Sequence, residues 1–439
     1  MIYLKNIIRY LIFLFQERNT QINMDPQKND ILIGIIGLGA MGKGLVYQTL
    51  ITDGIRTAAV CDTDTDKACA ILEEFDIEYM IAGSAETAED IARQGSVAVL
   101  ADGVSLAEMD SLDAVIEATG TIIEGGEYCV AALNTKKHLI LMNSEVDLIF
   151  GPYLVKLARQ NNVICTSCDG DQYGVIKHLA DDVTSWGFEL VMAGNMKGFL
   201  DRDANPTSII PEADKRNLDY KACASYTDGT KLNIEMAITA NALGLETRVP
   251  GMYGPVCGDI DDVQKVFDFG VLRENGKPFV DYVLGAAPGG GVFAIGYCEN
   301  SYQREMLKYY KMGDGPFYTF YRPYHLCHIE AMQTVFDAVR GNKAVLQPDF
   351  GFVTNVYAYA KHDLDAGCML DGIGGYSCYG IIENCADQDG VPGIPICLAD
   401  RVHMKKSVKK GEKIYLSDVD FDAGRSDFRL YSLSGGTLL

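Results

Sequence analysis

The chain of 439 residues is too long for one ordinary domain and sufficient for two or three, at about 100–200 residues each. Its 48% hydrophobic and 22% charged residues exclude a disordered, collagen-like or coiled-coil protein. With 38 basic and 60 acidic residues the net charge is −22, so the surface repels phosphate backbones and anionic lipid. We therefore expect no nucleic-acid partner and no membrane partner. Any anionic ligand must be held by local positive groups.

The first 24 residues are interpreted as an extension outside the fold, produced by a start codon assigned too early. Residues 1–15 are apolar but are interrupted by Lys5 and Arg9, and residues 10–15 are too few for a membrane span of ~20 residues. No small-residue cleavage site follows, as a signal peptide requires.

The 13 cysteines are an odd number scattered along the chain, which predicts reduced thiols and a cytoplasmic location. Cys165 and Cys168 have CxxC spacing, but no second CxxC completes a zinc site. Buried thiols at a strand end are therefore the favoured interpretation of this pair.

A glycine-rich turn follows the first predicted strand, residues 31–36, and leads into an apolar helix. The turn reads GLGAMG, which is G-x-G-x-x-G between a strand and a helix. Its first glycine permits the tight turn, the second lets the backbone approach a pyrophosphate, and the third allows close helix packing. The helix amino terminus offers N–H groups to the phosphates. We therefore predict a dinucleotide site at Gly37, Gly39, Ala40, Met41 and Gly42.

The next predicted strand, residues 57–61, ends at Asp62, where an acid can accept hydrogen bonds from the adenine-ribose hydroxyls of NAD. Asp64 and Asp66 follow, and Lys67 is the only cation close by. Three acids repel the 2′-phosphate of NADP. NAD is therefore favoured, while NADP stays an alternative.

Further strands are predicted at residues 113–118 and 138–142, with a helix at 127–134 between them. Alternating strands and helices predict an α/β fold with a doubly wound, parallel Rossmann sheet. Ligands bind at the carboxyl ends of such strands. We therefore expect Thr119, Gly120 and Asn143 to contact the cofactor.

The motifs GIIGLGAMGKG, VCD, DAVIEATG and LILMNSEVD resemble those of the homoserine-dehydrogenase-like NAD(P)-dependent oxidoreductases, in which a helix begins near Gly151. The later motifs CDGDQYG, GNMKGFLD, YTDGTKLNIEM, GAAPGGGVF and FYRPYHL resemble a branch with a carboxy-terminal SAF-like domain. That branch includes deoxyxylulose-phosphate reductoisomerase-like enzymes. The resemblance runs from about Asp30 to the end. It implies a Rossmann domain at 25–164, an α+β catalytic domain at 165–345 and a small β-rich SAF-like (β-clip) domain at 346–439.

Polar residues among small and apolar ones predict the catalytic site. Lys197 ends an apolar run, and Lys231 and Glu235 share one helix face after a turn at Asp228. The resemblance implies that a lysine and an acid here handle proton transfer, because an ammonium group can stabilise and protonate the alkoxide of a reduced carbonyl. Lys197 is the first choice, followed by Lys231, Glu235 and Asp228. Two alternatives stay open, namely that Lys197 is a surface lysine and that Lys231 and Glu235 form an exposed pair on a helix.

Residues around the predicted catalytic lysines supply candidate substrate contacts. His325 and His328 form a single HxxH, which is weak evidence for zinc, so His325 is predicted at the active site and His328 as a structural histidine. The predicted substrate contacts are Asn195, Arg322, Asp169 and Asp171.

A divalent metal is a further possibility, because the resembling reductoisomerases hold one with carboxylates. Glu145 and Asp169 are the predicted ligands, since hard cations take oxygen ligands. Helix capping and solvated turns explain Asp169 and Asp171 equally well.

Two segments near the carboxyl end, residues 360–370 and 404–414, match at an offset of 44 residues. Leu364 then aligns with Val408, and Gly367 with Gly411. The match predicts a duplicated small β unit, with a turn at 409–412 and a strand at 414–416. The glycine-rich residues 371–380 between the repeats are predicted to form a domain interface or a lid, with a packing role as the alternative.

Together these features predict an NAD(P)-dependent oxidoreductase. We expect it to transfer hydride to or from a small polar carbonyl or alcohol substrate that carries a phosphate or carboxylate. Deoxyxylulose 5-phosphate reductoisomerisation is the specific alternative. A non-enzymatic NAD(H) sensor is a further alternative, although no basic recognition helix is evident. We expect a homodimer or a higher homo-oligomer.

Overall fold

The computed structural model describes residues 30–216, 218–274, 276–388 and 390–438. The predicted extension at residues 1–24 lies outside these ranges. Within them, every helix is too short or too polar to cross a lipid bilayer.

The amino-terminal part is a seven-stranded sheet whose strands are all parallel, with the order β3-β4-β2-β1-β5-β6-β7. The chain runs outward in both directions from β1, so the ends of β1 and β5 border the crevice where such sheets bind ligands. The predicted Rossmann fold is confirmed. Its strands are β1 (Ile31–Ile36), β2 (Ile55–Cys61), β3 (Tyr79–Ile81), β4 (Val97–Leu100), β5 (Ala114–Glu117), β6 (His138–Leu141) and β7 (Cys165–Ser167). Its helices are α1 (Ala40–Leu50), α2 (Thr65–Glu74), α3 (Ala85–Arg93), α4 (Gly103–Ala107), α5 (Ile123–Asn134) and α6 (Ser144–Asn161).

Two boundaries of this part differ from the expected ones. The seventh strand lies at Cys165–Ser167 and pairs with β6, so the sheet extends past residue 164. The helix expected near Gly151 begins at Ser144, and the later position is wrong. The Asn143 side chain accepts a hydrogen bond from the Val146 N–H at 3.1 Å and caps the helix there.

The middle part is a four-stranded mixed sheet with the order β11-β10-β8-β9, in which only β8 and β9 run parallel. The predicted α+β architecture is therefore confirmed. Its strands are β8 (Glu189–Lys197), β9 (Phe279–Leu284), β10 (Val292–Tyr297) and β11 (Phe317–Arg322). Its α-helices are α7 (Gln172–Ser185), α8 (Ile210–Arg216), α9 (Tyr220–Thr227), α10 (Thr230–Leu243), α11 (Val263–Val266), α12 (Phe269–Glu274), α13 (Ser301–Tyr309) and α14 (Cys327–Val339), and a 3₁₀ turn spans Ile260–Asp262.

Helix α14 returns to the first part and packs along α1. A Cβ at Gly44 of α1 would lie 2.6 Å from the His328 ring, so glycine is what allows the close approach. The Arg340 guanidinium donates to the Gly54 carbonyl at 3.2 Å near the other end of α14. This packing places the first turn of α14, at His328, against α1.

The carboxy-terminal part contains two small antiparallel sheets, β12-β14 and β13-β15-β16. The strands are β12 (Thr354–Ala360), β13 (Met369–Asp371), β14 (Cys378–Asn384), β15 (Asp400–Met404) and β16 (Val419–Asp420). The remaining elements are α15 (Ser426–Leu433) and 3₁₀ turns at Cys385–Asp387, Ile396–Leu398 and Leu416–Asp418.

Hydrogen bonds confirm the predicted duplication of the small β unit. Leu364 and Val408, which align at an offset of 44, exchange both backbone hydrogen bonds, at 2.8 and 3.0 Å. The Gly367 N–H donates to the Met404 carbonyl, and the equivalent Gly411 N–H donates to the Ala360 carbonyl. The two repeats therefore face each other about a local two-fold axis. The strand expected at 414–416 is wrong, because that segment forms isolated bridges and then a 3₁₀ turn.

The glycine-rich segment 371–380 packs against the middle part. The Lys221 ammonium donates to the Asp371 carbonyl at 3.0 Å, and the Tyr376 hydroxyl hydrogen-bonds the Thr207 hydroxyl at 2.7 Å. A Cβ at Gly374 would lie 2.0 Å from the Lys221 carbonyl oxygen. These contacts favour the interface interpretation over a lid.

Candidate active site

The glycine turn has the geometry that a bound dinucleotide needs. Gly37 has φ +93°, and a Cβ there would lie 2.7 Å from the backbone of Ala118. A Cβ at Gly42 would lie 1.9 Å from the Gly37 carbonyl oxygen, so the helix could not pack on the turn. A Cβ at Gly39 would meet nothing within 4 Å, which leaves open space where the pyrophosphate is expected.

The start of α1 is open to a ligand. The helix begins at Ala40, and among the described residues no side chain caps it. Met41 lies in its exposed first turn. Free N–H groups at a helix start bind phosphate, so the predicted residues of this turn fit the pyrophosphate of a nicotinamide dinucleotide.

Asp62 follows β2 and is oriented by the backbone of two loops. Its carboxylate accepts hydrogen bonds from the N–H groups of Leu38, at 2.8 Å, and Asp64, at 3.0 Å. Lys67 lies 3.2 Å from the same carboxylate. Burial alone would raise the pKa of Asp62, but these hydrogen bonds and the Lys67 ammonium hold it below its ordinary value. Asp62 is therefore anionic at neutral pH.

Glu117, a buried acid at the end of β5, anchors the loop that follows this strand, and it was not among the residues predicted from the sequence. Glu117 accepts a hydrogen bond from the Thr119 N–H at 2.9 Å and a shorter one from its hydroxyl. Burial raises the pKa of Glu117 to about 7, although the Thr119 hydrogen bonds oppose the rise. Asn143 donates to the Thr121 carbonyl at 2.9 Å, and a Cβ at Gly120 would be in open space. The one signal in the sequence was a carboxylate closing an apolar strand.

A buried ion pair joins the first two parts. The Lys231 ammonium on α10 lies 3.1 Å from the Glu145 carboxylate on α6 and also hydrogen-bonds the Ser144 hydroxyl. The side chains of Lys231 and Glu145 are only 16% and 19% exposed. The expected pair Lys231–Glu235 is thus replaced by Lys231–Glu145, and the alternative of an exposed helix pair is wrong because all three side chains are largely buried.

The ion pair keeps both of its groups charged. Burial alone would lower the pKa of Lys231, but the carboxylates of Glu145 and Asp171 raise it above its ordinary value. Burial alone would raise the pKa of Glu145, but Lys231 holds it below its ordinary value. Lys231 is therefore a fixed cation over the neutral pH range.

Glu235 is the proton-carrying group of this cluster. Burial raises its pKa to about 8, and the neighbouring Asp171 carboxylate adds to the rise, against the opposing effect of Lys231 and Lys197. Asp171 itself caps the start of α7 through the Gln172 N–H at 2.8 Å. A protonated acid therefore lies within the electrostatic reach of two ammonium groups.

Lys197 and Asn195 project from the same face of β8, since side chains two residues apart share a face. The Lys197 ammonium donates to the Tyr226 carbonyl at 2.7 Å. The Asn195 amide nitrogen and the Tyr173 hydroxyl are buried and have no hydrogen-bond partner within the described part of the chain. Because buried polar groups are normally satisfied, the unpaired atoms indicate a site completed by a ligand or by water.

One group of side chains in this region could hold a metal ion. Ligand atoms of Asp171, His325 and Cys327 lie within 4.8 Å of one another. His325 Nδ1 is 2.8 Å from the Gly290 carbonyl oxygen, which leaves Nε2 for a ligand. The mixed donor set fits Zn²⁺ better than Mg²⁺, which takes oxygen ligands.

The predicted metal ligands have other partners. Glu145 is engaged by Lys231, and Asp169 lies 2.7 Å from His178 Nε2. Burial alone would raise the pKa of Asp169, but His178 holds it below its ordinary value. Within the described residues, neither Glu145 nor Asp169 belongs to a group of three or more side chains that could hold a metal ion.

Two further predicted site residues are held in ion pairs. The Asp228 carboxylate is fully buried and lies 2.8 Å from the Lys361 ammonium of the carboxy-terminal part. The Arg322 guanidinium makes two hydrogen bonds to Glu330, at 2.8 and 2.5 Å. Asp228 and Arg322 are therefore both paired with oppositely charged protein groups.

Comparison with known proteins places an oxidoreductase domain over this cluster. Residues 170–331 match the family model described as "Oxidoreductase DRL, catalytic domain", and the matched range includes Lys197, Lys231 and Glu235. No curated protein sequence matches the chain.

Solved structures share the backbone shape only distantly. A probable dehydrogenase from Thermotoga maritima aligns with a TM-score of 0.40 and 14% identity, covering 72% of this chain and 90% of that one. A DOX-P reductoisomerase with fosmidomycin and magnesium gives 0.35 and 18%, with 47% and 56% covered. A myo-inositol dehydrogenase from Lactobacillus casei gives 0.29 and 18%, with 43% and 53% covered.

The matched catalytic domain indicates an oxidoreductase, and the glycine turn has the geometry that a dinucleotide cofactor needs.

Proposed function

We propose that the enzyme transfers hydride to or from a small carbonyl or alcohol substrate that carries a phosphate or carboxylate. The observation that supports this most directly is the buried Lys231–Glu145 ion pair. It joins the end of the Rossmann sheet to the matched catalytic domain, beside the proton-carrying Glu235. A site with two ammonium groups in a chain of net charge −22 is suited to an anionic substrate.

Each group of the cluster has a role in this reaction. The glycine turn at residues 37–42 would hold a nicotinamide dinucleotide, which when bound would supply or accept the hydride. Lys231, held protonated by Glu145, stabilises negative charge that develops on the substrate oxygen. Glu235 keeps its proton at neutral pH and can deliver it to that oxygen. Lys197 and the unpaired Asn195 amide bind the remaining polar groups of the substrate.

Replacing Lys231 by Met tests this assignment. Loss of a preorganised cation at a developing oxyanion typically costs about 10²–10³-fold in kcat. We expect that loss for Lys231→Met and Lys197→Ala, with NADH affinity in fluorescence titration unchanged within twofold. Lys177→Met is the matched control, because Lys177 pairs with Asp181 on the surface of α7.

The substrate is identified with a panel of phosphorylated and carboxylated aldehydes and ketones, each beside its neutral analogue. Turnover should be confined to the anionic members. Equal turnover of the neutral analogues, or wild-type turnover in Lys231→Met and Lys197→Ala, would overturn the proposal.

We also propose that the cofactor is NAD rather than NADP. Asp62 is anionic and Asp64 lies beside it, so a 2′-phosphate at this position would meet two carboxylates, one of which is already paired with Lys67. Separate titrations should show NADH bound at least tenfold more tightly than NADPH. Asp62→Ala should reduce this preference for NADH over NADPH. Tighter NADPH binding in the wild type would show that Lys67 outweighs the acids.

The second candidate is reductoisomerisation of deoxyxylulose 5-phosphate. The Asp171 carboxylate lies close enough to the buried Glu235 to raise the pKa of Glu235, and a divalent cation between these two groups would relieve their repulsion. Cofactor oxidation on addition of that sugar phosphate, dependent on Mg²⁺ or Mn²⁺, would select this reaction. No oxidation with either metal would exclude it.

A further inference from the structure

Helix α10, which carries Lys231 and Glu235, is hydrogen-bonded to the carboxy-terminal part through its own polar side chains. The Thr230 hydroxyl accepts a hydrogen bond from the Gly380 N–H of β14 at 2.8 Å. The Asn233 side-chain oxygen accepts one from the Ile382 N–H, two residues further along β14, at 2.9 Å. Thr230 and Asn233 are fully buried. The first turn of α10 therefore covers an edge of β14 and is fixed by it.

A third contact of the same kind lies near the other end of the helix. The Asn241 side-chain oxygen accepts a hydrogen bond from the Thr354 N–H of β12 at 2.8 Å. Asn241 is also buried. Asn233 and Asn241 thus make chemically equivalent contacts about two turns apart.

Helical geometry separates this anchored face from the catalytic one. Residues of an α-helix advance by about 100° each, so positions 230, 233 and 241 fall within about 80° of one another. Lys231 and Glu235 lie about 100° and 140° round the helix from Thr230. The helix therefore has one face fixed to the carboxy-terminal part and an adjacent face turned to the cluster.

The carboxy-terminal part also contacts the helix that carries Glu145. Cys397, in the 3₁₀ turn Ile396–Leu398, is fully buried and within the electrostatic reach of both Glu145 and Lys231. The Ser434 hydroxyl at the end of α15 donates to the Phe150 carbonyl of α6 at 3.3 Å. Both helices that form the ion pair therefore rest on the same third part.

We propose that the carboxy-terminal part is a brace that sets Lys231 against Glu145, and that Thr230 and Asn233 are positioning residues of the active site. The functional meaning of this brace rests on the proposed function, in which Lys231 acts on the substrate. The position of the Lys231 ammonium, however, can be tested without reference to the reaction.

Competitive acetylation of the full chain tests the brace without a substrate. Native protein is labelled with a trace of acetic anhydride, and the labelling of Lys231 relative to Lys177 is read by peptide mass spectrometry. Asn233→Ala and Thr230→Val should raise Lys231 labelling at least fivefold, because the loosened helix exposes the ammonium. Asn241→Ala should leave Lys231 labelling within twofold of the wild type. Thr230→Ser, which keeps the hydroxyl that Thr230→Val removes, should also give wild-type labelling of Lys231.

Thermal unfolding separates positioning from general destabilisation. Asn233→Ala and Asn241→Ala each leave one backbone N–H unpaired, so their melting temperatures should fall by similar amounts. Equal Lys231 labelling in these two variants, whether raised or unchanged, would overturn the brace. If Asn233→Ala does not fold, the Lys231 labelling of Thr230→Val is compared with that of Thr230→Ser, and equal labelling in these two variants would overturn the brace. Full turnover in Lys231→Met would instead refute the proposed function and leave the labelling result standing.

Discussion

Replacing Lys361 by Met should destabilise the protein more than almost any other single change in its polar interior. The Lys361 ammonium lies 2.8 Å from the Asp228 carboxylate, and the two side chains are 4% and 0% exposed. It also donates to the carbonyls of Ala204 and Gly375, at 2.6 and 2.8 Å. Met fills the aliphatic volume but leaves a buried carboxylate and two carbonyls without their donor. Breaking a buried ion pair from one side costs about 3–5 kcal/mol, so we expect a loss in that range at neutral pH.

The loss should depend on pH. Burial raises the pKa of Asp228 above its ordinary value, and Lys361, followed by hydrogen bonds from Thr230, opposes the rise. Without Lys361 the pKa in the folded state is higher still, while the unfolded value is unchanged. A raised carboxyl pKa means that the folded state binds the proton more tightly, so stability falls as the pH rises above the unfolded pKa. Lys361→Met should therefore be less impaired at pH 5 than at pH 8.

Urea unfolding of four proteins at these two pH values checks the reasoning. The set is the wild type, Lys361→Met, Asp228→Asn and the double variant. The double variant should be more stable than Lys361→Met at pH 8, because it removes the stranded charge. A Lys361→Met protein within 1 kcal/mol of the wild type at pH 8 would refute the argument. So would a deficit that is greater at pH 5.

Two further predictions concern the Rossmann part. Gly39→Ala should leave the melting temperature unchanged and weaken NADH binding at least tenfold, because the added Cβ meets no protein atom and enters only the space expected for the ligand. Gly42→Ala should lower both the melting temperature and the NADH affinity, because its Cβ would lie 1.9 Å from the Gly37 carbonyl oxygen. Equal melting temperatures for the two variants would contradict this. Burial raises the pKa of Asp147 from 3.8 to about 7, against its hydrogen bond from Ser167. The wild type should therefore lose up to about 4 kcal/mol between pH 4 and 7 through this group, and Asp147→Asn should flatten that part of the urea-midpoint profile.

The dinucleotide turn was predictable because its requirements are local. Gly37, Gly39 and Gly42 are needed by the backbone within six residues, and the sequence pattern contains that whole constraint. The duplicated β unit was predictable for a related reason. An offset of 44 residues preserves small and aliphatic positions that the local two-fold axis then brings together, as at Leu364 and Val408.

The partner of Lys231 was not predictable from spacing. A helix offers Lys231 a neighbour four residues away, and Glu235 fills that position. Glu145 lies 86 residues earlier, and only the packing of α10 on the start of α6 brings it within 3.1 Å. The same holds for Asp228, whose turn position suggested chemistry. Its partner Lys361 lies in the carboxy-terminal part. An ion pair between residues of different domains produces no periodic pattern in the sequence.

These long-range pairs join the three parts of the fold. The Rossmann part contributes Glu145, the matched domain contributes Lys231, and the carboxy-terminal part holds the helix that joins them through Asn233. Each contact is buried, so each loses far more when one partner is removed than a surface pair would. A site assembled this way tolerates change within a part better than movement between parts. Substitutions at the junctions should therefore affect turnover from positions that touch no substrate.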